Sequence, residues 1–120
     1  MSKENVIKQK SFDFAIRIVK LYQYLKADKQ EYVMSKQLLR SGTAVGAMIR
    51  EAEHSESKAD FIHKLSIAQK EINETLYWLE LLQATDYLNA NEFESINADA
   101  TEIIKLITAI IKTTKQNINN

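Results

Sequence analysis

Two side chains with ligand chemistry stand three residues apart in this chain, Glu51 and His54. A Glu-x-x-His step sets a carboxylate and an imidazole on one helical face. Di-iron carboxylate bundles use two such steps with two further inward Glu residues. The chain holds no second Glu-x-x-His. The pair also falls where a helix is expected to end, and the negative end of a helix dipole suits a histidine. These residues therefore imply a solvated helix terminus and no metal. His63 lies beside the apolar residues Phe61 and Leu65. It has no nucleophile and no orienting carboxylate, so a triad has nothing to work with. Cysteine is absent, which removes disulfides, thiolate zinc sites and thiol nucleophiles together. No enzyme and no cofactor are expected.

A second constellation is basic: Arg17 and Lys20, then Lys36, Arg40 and Arg50. Lys36 and Arg40 are one helical turn apart and would meet phosphates together, with Tyr22 and Tyr24 nearby in sequence. The chain is neutral overall, 16 basic against 16 acidic side chains. Its halves are not. Residues 1–70 carry 13 basic and 8 acidic side chains, a balance of +5; residues 71–120 carry 3 and 8, a balance of −5. The halves either neutralise each other across helix or subunit contacts, or the basic one faces nucleic acid. The first reading is favoured, since a dedicated nucleic-acid binder is usually basic overall. Glu71, Glu74 and Glu80 are expected to pair with Lys64, Lys70 or the basic residues of the first two helices. Gly42 and Gly46 are not a phosphate loop, because no GxxxxGK[ST] and no preceding strand accompany them. One turn apart inside a helix, they are read as a close-packing device.

The elements that must position these residues are helices. At 120 residues, 45% hydrophobic and 27% charged, the composition is that of one globular domain. Proline, which breaks helix interiors, is absent. The spacing predicts helices over residues 11–27, 31–53, 58–85 and 91–115, after a polar lead-in at 1–10. Ser11 is the expected N-cap of the first. That helix carries two apolar stripes, one of Phe12, Ala15, Ile16, Val19 and Tyr22, the other of Phe14, Ile18, Leu21 and Leu25. A helix of a monomer buries one such stripe; the other needs a partner or stays as an exposed patch. The second helix has Leu38, Gly42, Val45, Ile49 and Ala52 in line, and Ser57 with Asp60 approximates a capping box before the third. Phe61, Leu65, Ala68, Ile72, Thr75, Leu79 and Leu82 then alternate by four and three, the pattern of a bundle seam. Tyr77, Trp78 and Leu81 lie off it. The fourth helix follows Phe93, Ile96, Ala100, Ile103, Ile107 and Ile110, with Asn89 or Asn91 as cap and a frayed tail from Lys112. Short links make successive helices antiparallel neighbours. The fold class is all-α, an antiparallel up-down-up-down four-helix bundle, with enough spare apolar surface to expect a homo-oligomer. No apolar run approaches the roughly 20 residues of a membrane span and the polar start lacks a signal core, so a cytoplasmic protein with no membrane partner is expected.

Three runs, KSFDFAIRIVKLYQYL, SKQLLRSGTAVGAMIREA and SKADFIHKLSIAQKEINETLYWLELL, occur in this order. Together they resemble the S23 family, the 23S rRNA intervening-sequence proteins, over about residues 8–85. The resemblance implies a bacterial four-helix bundle able to form a barrel-like homopentamer. It also implies kinship with the accessory protein of diversity-generating retroelements, which partners a reverse transcriptase and binds RNA or DNA through a basic surface. Arg40 in LLRSG and Arg50 in MIREA are the positions that carry this over. The chain departs from the family pattern at Met48, where Asn is common. The function expected is an assembly or scaffold module; the alternative is a nucleic-acid-binding accessory protein using Arg17, Lys20, Lys36, Arg40 and Arg50.

Overall fold

The structure, a computed structural model, describes residues 2–119, with side-chain surroundings to Asn117. Four helices follow one another: α1 Lys3–Ala27, α2 Met34–Ala52, α3 Lys58–Ala84 and α4 Ala90–Asn119. They form a rod of 52 × 23 × 22 Å. α2 packs between α1 and α3, α4 closes the ring against α3 and α1, and the diagonal pairs face each other across the core. This is the expected up-down-up-down bundle.

The expected bounds of α1 need correction. Residues 3–10 are helix, Ser2 is the N-cap, and its hydroxyl accepts the Asn5 N–H at 3.2 Å. Ser11 is buried mid-helix, its hydroxyl donating to the Lys8 carbonyl. The inner stripe runs Ile7, Ser11, Phe14, Ile18, all buried. A serine within an apolar line hid the first two turns. The α1–α2 contact explains the serine and both glycines. A Cβ on Gly42 would stand 2.8 Å from both γ carbons of Ile18, and one on Gly46 would stand 3.3 Å from the Ser11 carbonyl oxygen. Neither glycine has a positive φ, so close approach, not backbone freedom, is what they supply.

α2 begins at Met34 rather than Glu31, and its N-cap Val33 offers no side-chain bond. Glu31 does the capping from outside the helix. Its carboxylate accepts the N–H groups of Val33 at 3.1 Å, Met34 at 3.2 Å and Ser35 at 2.7 Å, and the Ser35 hydroxyl donates back to the Glu31 carbonyl. Three otherwise orphaned donors are satisfied by one buried side chain. Burial pushes the Glu31 carboxyl upward, but the bonds from Ser35, Val33 and Met34 outweigh it and hold the group below its ordinary value. The α1–α2 turn closes through Gln30 in the left-handed region, as the α3–α4 turn does through Asp86.

The later helices start as the spacing anticipates. Ser57 accepts the Asp60 N–H at 3.0 Å, while Asp60 takes the Glu56 N–H and pairs with Lys64. Those two partners, Lys64 first, hold the Asp60 carboxyl low. Asn89 and Glu92 bond reciprocally in a capping box, at 2.8 and 2.9 Å. α4 runs on to Asn119, past the expected end at 115. The seam residues Leu65, Ala68, Ile72, Thr75, Leu79 and Leu82 are buried, against Ile96, Ala100, Ile103, Ile107 and Ile110. Thr75 donates to the Glu71 carbonyl and lies 2.9 Å from the Ser41 hydroxyl across the core. Among the described residues no buried side-chain nitrogen or oxygen lacks a partner.

Two outcomes are expected in urea titrations. Gly42→Ala gains about 1 kcal/mol of helix propensity but forces a methyl onto a fully buried Ile18, an overpacking cost of roughly 1–3 kcal/mol. It should therefore destabilise, whereas Gly46→Ala, with the looser contact, should be close to neutral. Glu31→Gln should cost about 1 kcal/mol at pH 7 through the weakened cap. Because folding depresses the Glu31 pKa, the cap acts fully above the ordinary value of 4.5 and is lost as pH falls through the depressed one. The gap between wild type and variant should narrow over that acid range.

Candidate functional site

The five basic residues do not form one surface. Arg17 lies in the α1–α4 seam. Its Nη1 is 2.6 Å from Asp99 Oδ2 and also donates to the Ser95 carbonyl, while Nη2 donates to the Ser95 hydroxyl at 3.0 Å. Arg40 lies in the α2–α3 seam, on the other side of the bundle. Its guanidinium pairs with Glu71 at 3.1 Å and with Glu74, and Nε donates to Gln37. Glu74 also accepts the Trp78 indole N–H at 3.0 Å. Arg40 is thus held by two carboxylates, and a phosphate there would have to displace them. Arg50 stands 5.1 Å over the Phe12 ring, a cation–π contact joining α2 to α1. Lys20 and Lys36 are exposed, and no ion pair of theirs occurs among the described residues. The expected pairing of Glu71 and Glu74 with the basic residues of α2 is present; Lys64 turns to Asp60 instead.

Glu51 and His54 are exposed at the end of α2, and His63 is exposed on α3. Among the described residues no three His, Asp or Glu side chains converge as a metal site would require. A groove of about 750 Å³ opens where α1 and α3 begin. Its rim mixes Glu4, Lys8, Glu53 and Lys58, with Lys8 and Glu53 paired at 3.2 Å. A charge-balanced rim of this kind presents no activated nucleophile and no set of donors aimed at one point. Among the described residues no helix is long and apolar enough to cross a membrane.

What the fold does assemble is apolar. The outer stripe of α1 stays at the surface, with Phe12 47%, Ile16 40% and Val19 37% exposed. Ala15 and Tyr22 of the same stripe are half-buried. Ile18 locked over Gly42 turns the Phe14–Ile18 stripe inward, and the helical period then leaves Phe12, Ile16 and Val19 facing out. Beside them on α2 lie the half-buried Thr43 and the exposed Ala47, two turns and one turn before Arg50. At the α1–α2 turn, Tyr32 and Val33 are also exposed, and Tyr32 lines one groove with Tyr22 of the stripe. Tyr77, 56% exposed on α3, stands apart from this group, with its ring edge against Trp78. The sequence signal for the α1 face was its second stripe. The partners of Arg17, 78 and 82 residues away in the chain, had no local signal.

Comparison with known proteins places this geometry in a family context. The family model described as 23S rRNA-intervening sequence protein matches residues 3–109. A crystal structure of a protein of unknown function from the S23 ribosomal protein family of Bacteroides thetaiotaomicron VPI-5482 is 60% identical in sequence. It superposes with a TM-score of 0.92 over 92% of this chain and 99% of that one. No curated protein matches.

The seam role of Arg40 has an optical signature. Arg40→Ala leaves Glu71 and Glu74 without their shared cation, at an expected cost of about 1 kcal/mol for a partly exposed network. The single tryptophan should change its emission as Glu74 is released. Arg17→Ala, which frees Asp99 in the other seam, should leave that emission unchanged.

Proposed function

We propose that this chain, which belongs to the 23S rRNA-intervening sequence protein family, is a non-catalytic assembly module that joins to further copies of itself through the outer face of α1. The observation that carries the reading is the exposure of Phe12, Ile16 and Val19 in one line on a rigid helix. Isolated surface hydrophobics are ordinary, but a contiguous stripe rimmed by polar residues is the mark of an interface. Burying a full Val, Ile or Phe side chain contributes roughly 1.5–3 kcal/mol. These three are already half covered, so together they supply about 3 kcal/mol. Association in solution costs at least about 4 kcal/mol. The stripe therefore needs further surface to hold a stable oligomer, and Tyr32, in one groove with Tyr22, extends it at one end. A closed ring of side-by-side rods, five by the family resemblance, is the assembly this reading expects.

A second reading, a nucleic-acid-binding accessory protein, is favoured by one observation: among the described residues, Lys20 and Lys36 are exposed cations outside the chain's own ion pairs. On that reading the phosphate contacts fall to Lys20, Lys36 and Arg50, since Arg17 and Arg40 are already engaged.

Light scattering distinguishes the two. Wild type should be larger than a 13.8 kDa monomer, and Ile16→Glu should reduce it to that size with its helical circular dichroism intact. A monodisperse wild-type monomer at micromolar concentration would remove the assembly reading. For the alternative, the Lys20→Ala, Lys36→Ala double variant should flatten the salt dependence of RNA or DNA affinity by about 0.7–0.9 per lost phosphate contact. An unchanged slope would eliminate those lysines as contacts.

A further inference from the structure

We propose that the outer face of the α3–α4 hairpin, centred on Tyr77, is a docking surface for a basic, arginine-rich segment of another protein. The proposal goes beyond the assembly reading and does not depend on it. Three of the four helix seams are closed by ion pairs: α1–α2 by Lys8 and Glu53, α2–α3 by Arg40 with Glu71 and Glu74, α1–α4 by Arg17 with Asp99 and Lys10 with Glu102. Among the described residues the α3–α4 seam has no ion pair. Its side chains are linked by a hydrogen bond from Gln69 to Thr108, at 3.1 Å. That bond marks the sides of α3 and α4 that face each other. Glu80 follows Gln69 by eleven residues, about three turns, and Glu94 precedes Thr108 by fourteen, about four. Both glutamates therefore stand on the facing sides, near the turn that holds Asp86. All three are exposed, and among the described residues none has an ion pair.

The hairpin supplies no cation of its own at this end. Residues 71–104 carry eight acidic side chains and no Lys, Arg or His. The nearest basic residues along the two helices, Lys70 and Lys105, are ten and eleven residues from Glu80 and Glu94, about 15 Å of helix. That exceeds the Debye length of about 8 Å at physiological salt. Tyr77, 56% exposed, stands three residues before Glu80 and so on the same side of α3. Its ring is set at 68° to Trp78, with centroids 5.1 Å apart. An exposed tyrosine ring attracts a cation to its face, and a guanidinium stacks there while it bonds a carboxylate. The chain uses the same contact internally, Arg50 over Phe12. A guanidinium on Tyr77 would lie one turn from Glu80, and a following cation of the same segment would meet Glu94 and Asp86. Other occupants fit less well. The acidic end repels a phosphate backbone. A second copy presenting its outer α1 face brings Asp13, Lys20 and Arg50, a balance of +1, against −3 from Glu80, Asp86 and Glu94.

The test titrates the full chain into a short fluorescein-labelled Arg–Ala repeat peptide and reads anisotropy over a salt series, with circular dichroism as the check on folding. Binding should saturate and change the emission of the single tryptophan, Trp78, and a Glu–Ala repeat should not bind. Tyr77→Ala should weaken binding roughly two- to five-fold, the range of an exposed cation–π contact. The Glu80→Gln, Glu94→Gln double variant should weaken it by up to about ten-fold and flatten its salt dependence. A Glu51→Gln, Glu56→Gln double variant loses the same charge at the opposite end of the bundle and should bind like wild type. Equal losses from the two double variants would mean attraction by net charge alone and would overturn the proposal. Undiminished affinity in Tyr77→Ala and in Glu80→Gln, Glu94→Gln would overturn it too, as would no binding of the Arg–Ala repeat at low salt. If those variants change the light-scattering size of the chain and leave peptide affinity as it was, the face is a contact between copies and the proposal falls.

Discussion

Two absent Cβ atoms govern the distance between α1 and α2, and the orientation of α1 follows from that distance. Gly42 sits under the branched carbons of Ile18, and Gly46 under the carbonyl of Ser11. Each glycine costs about 1 kcal/mol of helix propensity. The return is backbone proximity and the dispersion contacts of a close-packed core. Once Ile18 and Ser11 are seated, Ile7, Phe14 and Leu25 must face inward, and Phe12, Ile16 and Val19 must face water. The buried and exposed sides of α1 are two consequences of one contact.

The remaining order comes from the helix ends and the seams. Four N-termini are closed in different ways: Ser2 and Ser57 by hydroxyl, Glu31 by a carboxylate spanning three N–H groups, Asn89 by a reciprocal box with Glu92. Short connections then keep neighbours antiparallel. Two opposite sides of the bundle are each clamped by an arginine, Arg17 between α1 and α4 and Arg40 between α2 and α3. Lys10, bonded to Glu102 at 2.8 Å, reinforces the first of these. Guanidinium suits this work because its planar fork can hold two acceptors at once. The uneven charge of the two halves is therefore partly resolved inside the monomer, across helix–helix seams.

This division shapes what the surface offers. Two of the three guanidinium groups, Arg17 and Arg40, are turned to internal partners, and the outward face of α1 carries the apolar stripe. Following a phosphate backbone needs several mobile cations that converge, and Arg17 and Arg40 are held in separate seams.

Much of the fold was legible in the sequence. The 3–4 spacing in Leu65–Leu82 and Ile96–Ile110 announced the seam, Ser57 announced one helix start and the choice of Asn89 or Asn91 another, which the structure gives to Asn89, because helical periodicity and capping are local properties of the chain. The first two turns of α1 were not legible, since Ser11 breaks the apolar line for a reason that lies on α2. Nor was the start of α2, where a glutamate three residues upstream replaces the usual capping side chain. The sequence by itself determined that α1 has two apolar stripes and that five basic residues lie in the first two helices as candidate phosphate contacts. Only the tertiary structure decided which stripe is exposed and which arginines are engaged. Both depend on partners distant in the chain, Gly42 for Ile18, Asp99 for Arg17 and Glu71 for Arg40, and no local pattern encodes a contact that forms only when the helices pack.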